Sequence, residues 1–180
     1  MRPFALALLL SASPALAAGT FTLRSADIKE GGTLPERHVA NVFGCSGGNV
    51  SPQLSWSGAP AGTKSFVLTV YDPDAPTGSG WWHWVVYDIP AATTELPAGA
   101  GDGSALPEGA KQARTDFGSP GYGGACPPPG KPHRYVFTVF ALRVEKLEVP
   151  ADATPALIGF MTRANALGSA KMTVRYGRAK

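Results

Sequence analysis

The chain has 180 residues, sixteen basic and thirteen acidic side chains and a formal net charge of +3, a length that suits one domain with a sizeable core rather than two. The sequence pI near 9.0 comes without any Lys/Arg run, so no basic stripe for nucleic acid is expected. Twenty-two glycines and seventeen prolines argue against a mainly helical domain.

Arg2 precedes an apolar run from Phe4 to Leu10, and Ala15-Leu16-Ala17 offers small residues at the spacing of a signal-peptidase site. Residues 1–17 therefore read as a signal peptide, the alternative being a disordered or membrane-dipping tail, and residues 18–180 as a single domain. The apolar run is too short to span a bilayer, and no other segment approaches that length. The expected location is periplasmic or secreted. Without Arg2 the chain keeps fifteen basic against thirteen acidic side chains.

Phe21 to Arg24 reads as a first strand. Cys45 and Cys126 are the only cysteines, and export to an oxidising compartment favours a disulfide between them. Closing a loop of 81 positions restricts the unfolded chain by up to about 4.5 kcal/mol in the loop-entropy model. The alternatives are two buried free thiols or a zinc site, the latter without paired-cysteine spacing. Neither a metal nor a cofactor is expected.

Ser65 to Asp72 reads as a largely buried strand and Trp81 to Ile89 as another. In the second, strict alternation places His83, Val85 and Tyr87 on one side and Trp82, Trp84 and Val86 on the other. Asp72 ends its strand before Pro73, so its carboxylate is expected at a sheet edge where the chain turns. Sixteen of the 36 residues from Pro97 to Pro132 are Gly or Pro, which predicts a long ordered loop anchored by Phe117, Tyr122 and Cys126. Arg134 to Val144 is a further strand, with His133 and Tyr135 facing one way and Arg134 the other. Thr154 is a good N-cap and Pro155 fits the first helical position. Leu157, Phe160, Met161, Ala164 and Leu167 recur at helical spacing up to Gly168, a plausible terminator. Lys171 to Tyr176 closes the chain as a strand. The pattern predicts a mainly β fold, an antiparallel sandwich of two packed sheets with short peripheral helices including a C-terminal one.

The chemistry concentrates in Asp72-Pro73-Asp74-Ala75-Pro76, in His83, and in His133-Arg134-Tyr135. Imidazole and phenol groups donate hydrogen bonds to an anion, and a nearby carboxylate holds the imidazole tautomer and can accept from an ammonium. A zwitterionic phosphoethanolamine head satisfies both ends. Each residue also has a plainer reading: a strand histidine is usually structural, Asp before Pro a turn initiator, and a Trp cluster core packing. Gly121-Tyr122-Gly123-Gly124 is too short and wrongly placed for a nucleotide loop.

These residues resemble the phosphatidylethanolamine-binding protein family, also called Raf kinase inhibitor-like proteins, and its bacterial branch in particular. The resemblance runs from about Phe21 to Arg178. It rests on Asn49-Val50-Ser51-Pro52 with Leu54 and Trp56, then Asp72 to Pro76, Trp81-Trp82-His83-Trp84 and Thr115-Asp116-Phe117-Gly118. Gly121-Tyr122, Pro127-Pro128 and His133-Arg134-Tyr135 complete it. It implies a small anion pocket built by Asp72, His83, Pro127, Pro128, His133 and Tyr135, with Asp74, Pro76, Trp84 and Arg134 as structural neighbours. Two departures stand out: Asn165 replaces a histidine of some bacterial relatives, and Ala125-Cys126-Pro127 replaces a Pro-first loop. A Cys45–Cys126 bond would tie that loop to the early glycine-rich turn. The expected function is binding of a small anionic or phosphate-bearing ligand without catalysis. The alternatives are a protein that inhibits a protease or engages another macromolecule through residues 97–132, and a phosphate-ester hydrolase using His83 and His133 as acid and base.

Overall fold

The computed structural model describes residues 19–179; the signal-peptide reading falls outside them. Eight strands and one α-helix follow in chain order: β1 (Thr22–Arg24), β2 (Leu54–Ser57), β3 (Ser65–Asp72), β4 (Trp81–Pro90), β5 (Glu95–Leu96), β6 (Lys111–Gln112), β7 (His133–Leu142), α1 (Pro155–Asn165) and β8 (Ala166–Tyr176). They form two antiparallel sheets, a three-stranded one ordered β1-β2-β5 and a five-stranded one ordered β6-β4-β3-β7-β8. Leu23, Leu54, Trp56 and Leu96 of the small sheet pack against Phe66, Leu68, Val70, Trp84, Phe137 and Val139 of the large one. The mainly β sandwich expected from the sequence is the fold observed. Among the described residues no helix is long and apolar enough to cross a membrane.

The central strands carry near-continuous apolar runs because both faces of the large sheet are covered. Its outer face, through Val67, Val85, Tyr87 and Leu142, packs beneath Ala153 and Ile158. Helix α1 begins as its sequence predicts: the Thr154 hydroxyl accepts from the Leu157 N–H at 3.2 Å, and Pro155 holds the first turn. Its buried stripe, however, is Pro155, Ile158 and Thr162, whereas Leu157 and Phe160 are exposed. The helix also stops at Asn165 instead of running through Leu167 to Gly168. Ala166 pairs with Leu142 and Gly168 with Ala141, so the long β7–β8 ladder overrides local helical spacing. Gly168 is used for close approach, since a Cβ there would lie 3.0 Å from Cγ of Pro60.

Short β2, β5 and β6 are not expected from periodicity, and β8 starts five residues before its predicted beginning at Lys171. Two of the residues expected to anchor the segment 97–132 make long-range contacts. Tyr122 donates its hydroxyl to the His38 carbonyl at 2.8 Å, and Cys126 is bonded to Cys45 with Cα atoms 6.0 Å apart.

Strict alternation fails in β4. Tyr71 pairs with Trp82 and Val70 with Trp84, which leaves His83 without a counterpart. This is a β-bulge, a device that re-aims a side chain. Trp82 consequently packs with Val85 and Tyr87 on the outer face, while Trp84 and Val86 join the core between the sheets. His83 is freed from the Val85–Tyr87 side and turns toward Tyr135, the two rings lying 5.1 Å apart.

Candidate functional site

The site lies where the central strands β3, β4 and β7 end beside the Gly/Pro-rich segment. Asp72 is the last residue of β3, and β3 is the middle strand of the large sheet. Its carboxylate is thus buried at a strand end, not at a sheet edge as the sequence suggested. There Oδ1 accepts from the Asp74 N–H at 2.8 Å, a turn closed by the residue that precedes Pro73. Oδ2 lies 2.7 Å from Nδ1 of His133. With the carboxylate oxygen as acceptor, Nδ1 is the donor of this pair and Nε2 is the nitrogen left free.

His83 is held in the same manner by a different acceptor. Its Nδ1 donates to the Gly123 carbonyl at 2.7 Å, and the Gly123 N–H returns a bond to the His83 carbonyl at 2.9 Å. The ring is only 4% exposed, and burial pushes its pKa below the ordinary 6.5 against the opposing pull of the Gly123 carbonyl and Asp72. Neutral His83 therefore presents an unprotonated Nε2. Burial drives the Tyr135 hydroxyl well above the usual phenol range, so it stays protonated. That hydroxyl is buried with no hydrogen-bond partner among the described residues, and so is Nε1 of Trp81.

One cavity of about 160 Å³ gathers these groups: Asp72, His83, Pro127, Pro128, His133 and Tyr135 all line it, and so does Pro76. The remaining sequence candidates sit around it. Arg134 points away and grips Asp74 with three bonds: backbone N to Oδ2 at 2.9 Å, Nε to Oδ2 at 2.9 Å and Nη2 to Oδ1 at 2.7 Å. The Arg134 hydrogen bond, set against burial, holds the Asp74 carboxyl far below the usual carboxylate range. Trp84 is fully buried, donates its indole N–H to Gln112 and does not reach the cavity. Among the described residues no group of three His, Cys, Asp or Glu side chains is placed to hold a metal.

The cavity has aromatic walls that the sequence reading did not assign to it. Phe117 stacks on Phe43 at 6.0 Å and meets Trp81 and His83 edge-on at 5.4 Å each. Trp81 and Phe117 belong to motifs singled out in the sequence, and a period-2 strand carrying three tryptophans was the available signal. Phe43 had none. It is 66% exposed with a left-handed backbone, φ 54°, and reaches the cavity because Cys45, two residues on, is bonded to Cys126 of the wall.

The family model described as phosphatidylethanolamine-binding protein matches residues 24–177. UPF0098 protein YbcL of Escherichia coli (strain K12) is 56% identical over 162 residues, covering 88% of this chain and 88% of its own. The crystal structure of E. coli YbcL superposes with a TM-score of 0.85 over 87% of this chain and 98% of that one. UPF0098 protein YbhB from the same organism is 54% identical over 155 residues, 86% of this chain and 98% of its own. A homologue from Chlamydia trachomatis is 29% identical, with a TM-score of 0.74 over 88% of this chain and 97% of that one.

Proposed function

The chain belongs to the phosphatidylethanolamine-binding protein family, and on that premise we propose that it is an exported protein that binds a small anionic, phosphate-bearing ligand in the Asp72–His83–His133–Tyr135 cavity without turning it over. The observation that carries this reading is the unpartnered Tyr135 hydroxyl, a buried donor on a residue that lines the cavity together with two histidines. Leaving such a donor unsatisfied costs about 1–3 kcal/mol, and an anionic oxygen accepting from it removes that cost. The Trp81 indole N–H is a second donor of the same kind.

Two observations speak against covalent turnover through a thiol or an aliphatic hydroxyl. Cys126, the one thiol-bearing residue on the wall, is consumed in the disulfide. Thr77, the one hydroxyl-bearing aliphatic residue there, donates to the Gly80 carbonyl. Neither is free to act as a nucleophile. Export is supported by the pattern of residues 1–17 together with the disulfide.

Isothermal titration of the mature chain with inorganic phosphate and with phosphoethanolamine between pH 5 and 8 tests the reading. Saturable heat that disappears in Tyr135→Phe or His133→Ala is expected. No binding of either ligand across the range refutes the site, and turnover of a phosphomonoester by wild type but not His133→Ala refutes the non-catalytic clause.

A further inference from the structure

A second cavity of about 310 Å³ adjoins the first, and the two share Phe43 and Phe117. A backbone contact also links them. Gly123, which lines the second cavity, is tied by two hydrogen bonds to His83, which lines the first. The first cavity is small beside the ~300–1,000 Å³ of sites that enclose a whole organic ligand. It takes a phosphate-sized group, and the rest of a larger ligand must lie elsewhere. The neighbouring space is the one reached directly across the Phe43–Phe117 pair.

The chemistry of the second cavity is sharply different. No Asp, Glu, Lys, Arg or His lines it. Its polar groups are the amides of Asn41 and Asn49, the hydroxyls of Thr115 and Ser119, and glycine-rich backbone. Asn49 is spent on Tyr122 and Gly124, its Nδ2 donating to the Tyr122 carbonyl at 3.3 Å and its Oδ1 accepting from the Gly124 N–H at 2.8 Å. Asn41 and Ser119 make no side-chain hydrogen bond among the described residues and remain available. Neutral donors and acceptors beside an aromatic pair suit a hydroxyl-rich group whose C–H face lies on the rings. An ammonium or carboxylate would lose hydration there without gaining an opposite charge. The carboxylates near the first cavity are each held as well: Asp72 by His133 and the Asp74 N–H, Asp74 by Arg134, and Asp116 by the Trp82 N–H, which donates to its Oδ2 at 2.7 Å.

Building on the phosphate-binding reading above, we propose that the two cavities form one bipartite site for a phosphate ester of a neutral polyhydroxylated group, a sugar phosphate, with the phosphate against His83, His133 and Tyr135 and the hydroxylated part across Phe43 and Phe117 against Asn41 and Ser119. This selects against phosphoethanolamine as the best ligand, because its ammonium finds no free carboxylate in the second cavity.

The test is isothermal titration of the mature, disulfide-bonded chain at pH 6 with three probes: inorganic phosphate, phosphoethanolamine and glucose 1-phosphate. Wild type is expected to bind glucose 1-phosphate at least tenfold more tightly than either of the others. In Asn41→Ala/Ser119→Ala, two exposed positions whose replacement spares the fold, that advantage is expected to shrink to threefold or less. Equal affinities of wild type for phosphate and glucose 1-phosphate, or an advantage that survives the double substitution, overturn the bipartite site and leave phosphate binding standing. Tightest binding of phosphoethanolamine overturns it likewise. No binding of any probe overturns both readings.

Discussion

Nδ1 of His83 lies 2.7 Å from the Gly123 carbonyl oxygen, and this contact decides which ring nitrogen meets the cavity. A carbonyl only accepts, so Nδ1 holds the proton in the neutral ring and Nε2 bears a lone pair. To donate to an anion, Nε2 must take up a proton. Burial opposes that step in the free protein by lowering the pKa, whereas a bound anion favours it. Binding and protonation are therefore coupled. Sulfate, whose charge is constant across the range, is the clean probe. Its affinity is expected to rise as pH falls, by up to about tenfold per unit between the titration points of His83 in the bound and free protein, and then to level off. His83→Asn is expected to flatten that part of the profile. A wild-type affinity independent of pH from 5 to 8 contradicts the coupling.

The same depressed pKa acts on folding with a definite sign. Between pH 6.5 and the lower titration point of folded His83, the unfolded chain binds the proton and the native chain does not. Stability contributed by neutral His83 is thus complete above 6.5 and declines as pH falls below it, by at most one proton's worth, about 1.4 kcal/mol per unit. Urea denaturation of the ligand-free protein at pH 7.5, 6.5 and 5.5 measures it. The difference between wild type and His83→Asn isolates this group from the carboxylates. Equal pH slopes for the two proteins count against it.

Cys45 and Cys126 join segments 81 positions apart, and both segments shape the site. Phe43 lies beside Cys45, and Pro127 follows Cys126 on the cavity wall. Arg178 spans the same seam, its Nε donating to the Pro127 carbonyl at 2.7 Å and Nη1 to the Gly44 carbonyl at 3.4 Å. Reduction by a dithiol is expected to lower folding stability by about 2–4 kcal/mol, with about 4.5 kcal/mol as the chain-entropy ceiling. It should also weaken phosphate binding, because the left-handed backbone at Phe43 loses the bond that constrains it. Denaturation and titration of oxidised protein, reduced protein and Cys45→Ala/Cys126→Ala measure both effects. Unchanged ligand affinity in the double variant would confine the disulfide to stability.

The strands that position the site were legible because β3, β4 and β7 have long apolar runs bounded by turn residues, and their ends carry Asp72, His83 and His133. The facing of His83 was not legible. Alternation along 81–86 is a local rule, and the bulge opposite Tyr71 and Val70 arises from the register in which β4 pairs with β3, which that window does not contain. The helix misled for a related reason. Leu157 and Phe160 have helical spacing as good as that of Ile158 and Thr162, and only the tertiary position of β4 and β7 decides which stripe is covered. The boundary at Asn165 depends on pairing with Leu142. Phe43 carries no periodic signal; a crosslink to a residue far along the chain brings it to the cavity. Trp81 was visible as an aromatic but not as an unpartnered donor, since satisfaction of a polar atom is a property of the folded surroundings.

Gly123 joins all of these features, and its lack of a side chain is required by close approach. A Cβ built there runs into the Phe117 ring, at Cδ2, Cε2 and Cζ. The backbone has no freedom to retreat because His83 holds it at both its N–H and its carbonyl. In Gly123→Ala the Phe117 ring must therefore swing away, which breaks its stacking on Phe43 and its edge contacts with Trp81 and His83. Overpacking of this kind costs about 1–3 kcal/mol. The variant is expected to fold, to lose stability within that range and to bind phosphate at least tenfold more weakly, with a shifted Trp81 indole N–H resonance. Gly19→Ala, where a Cβ meets nothing within 4 Å, serves as the control. Gly123→Ala with wild-type affinity and an unshifted Trp81 signal would mean that Phe117 is not a fixed wall of the site.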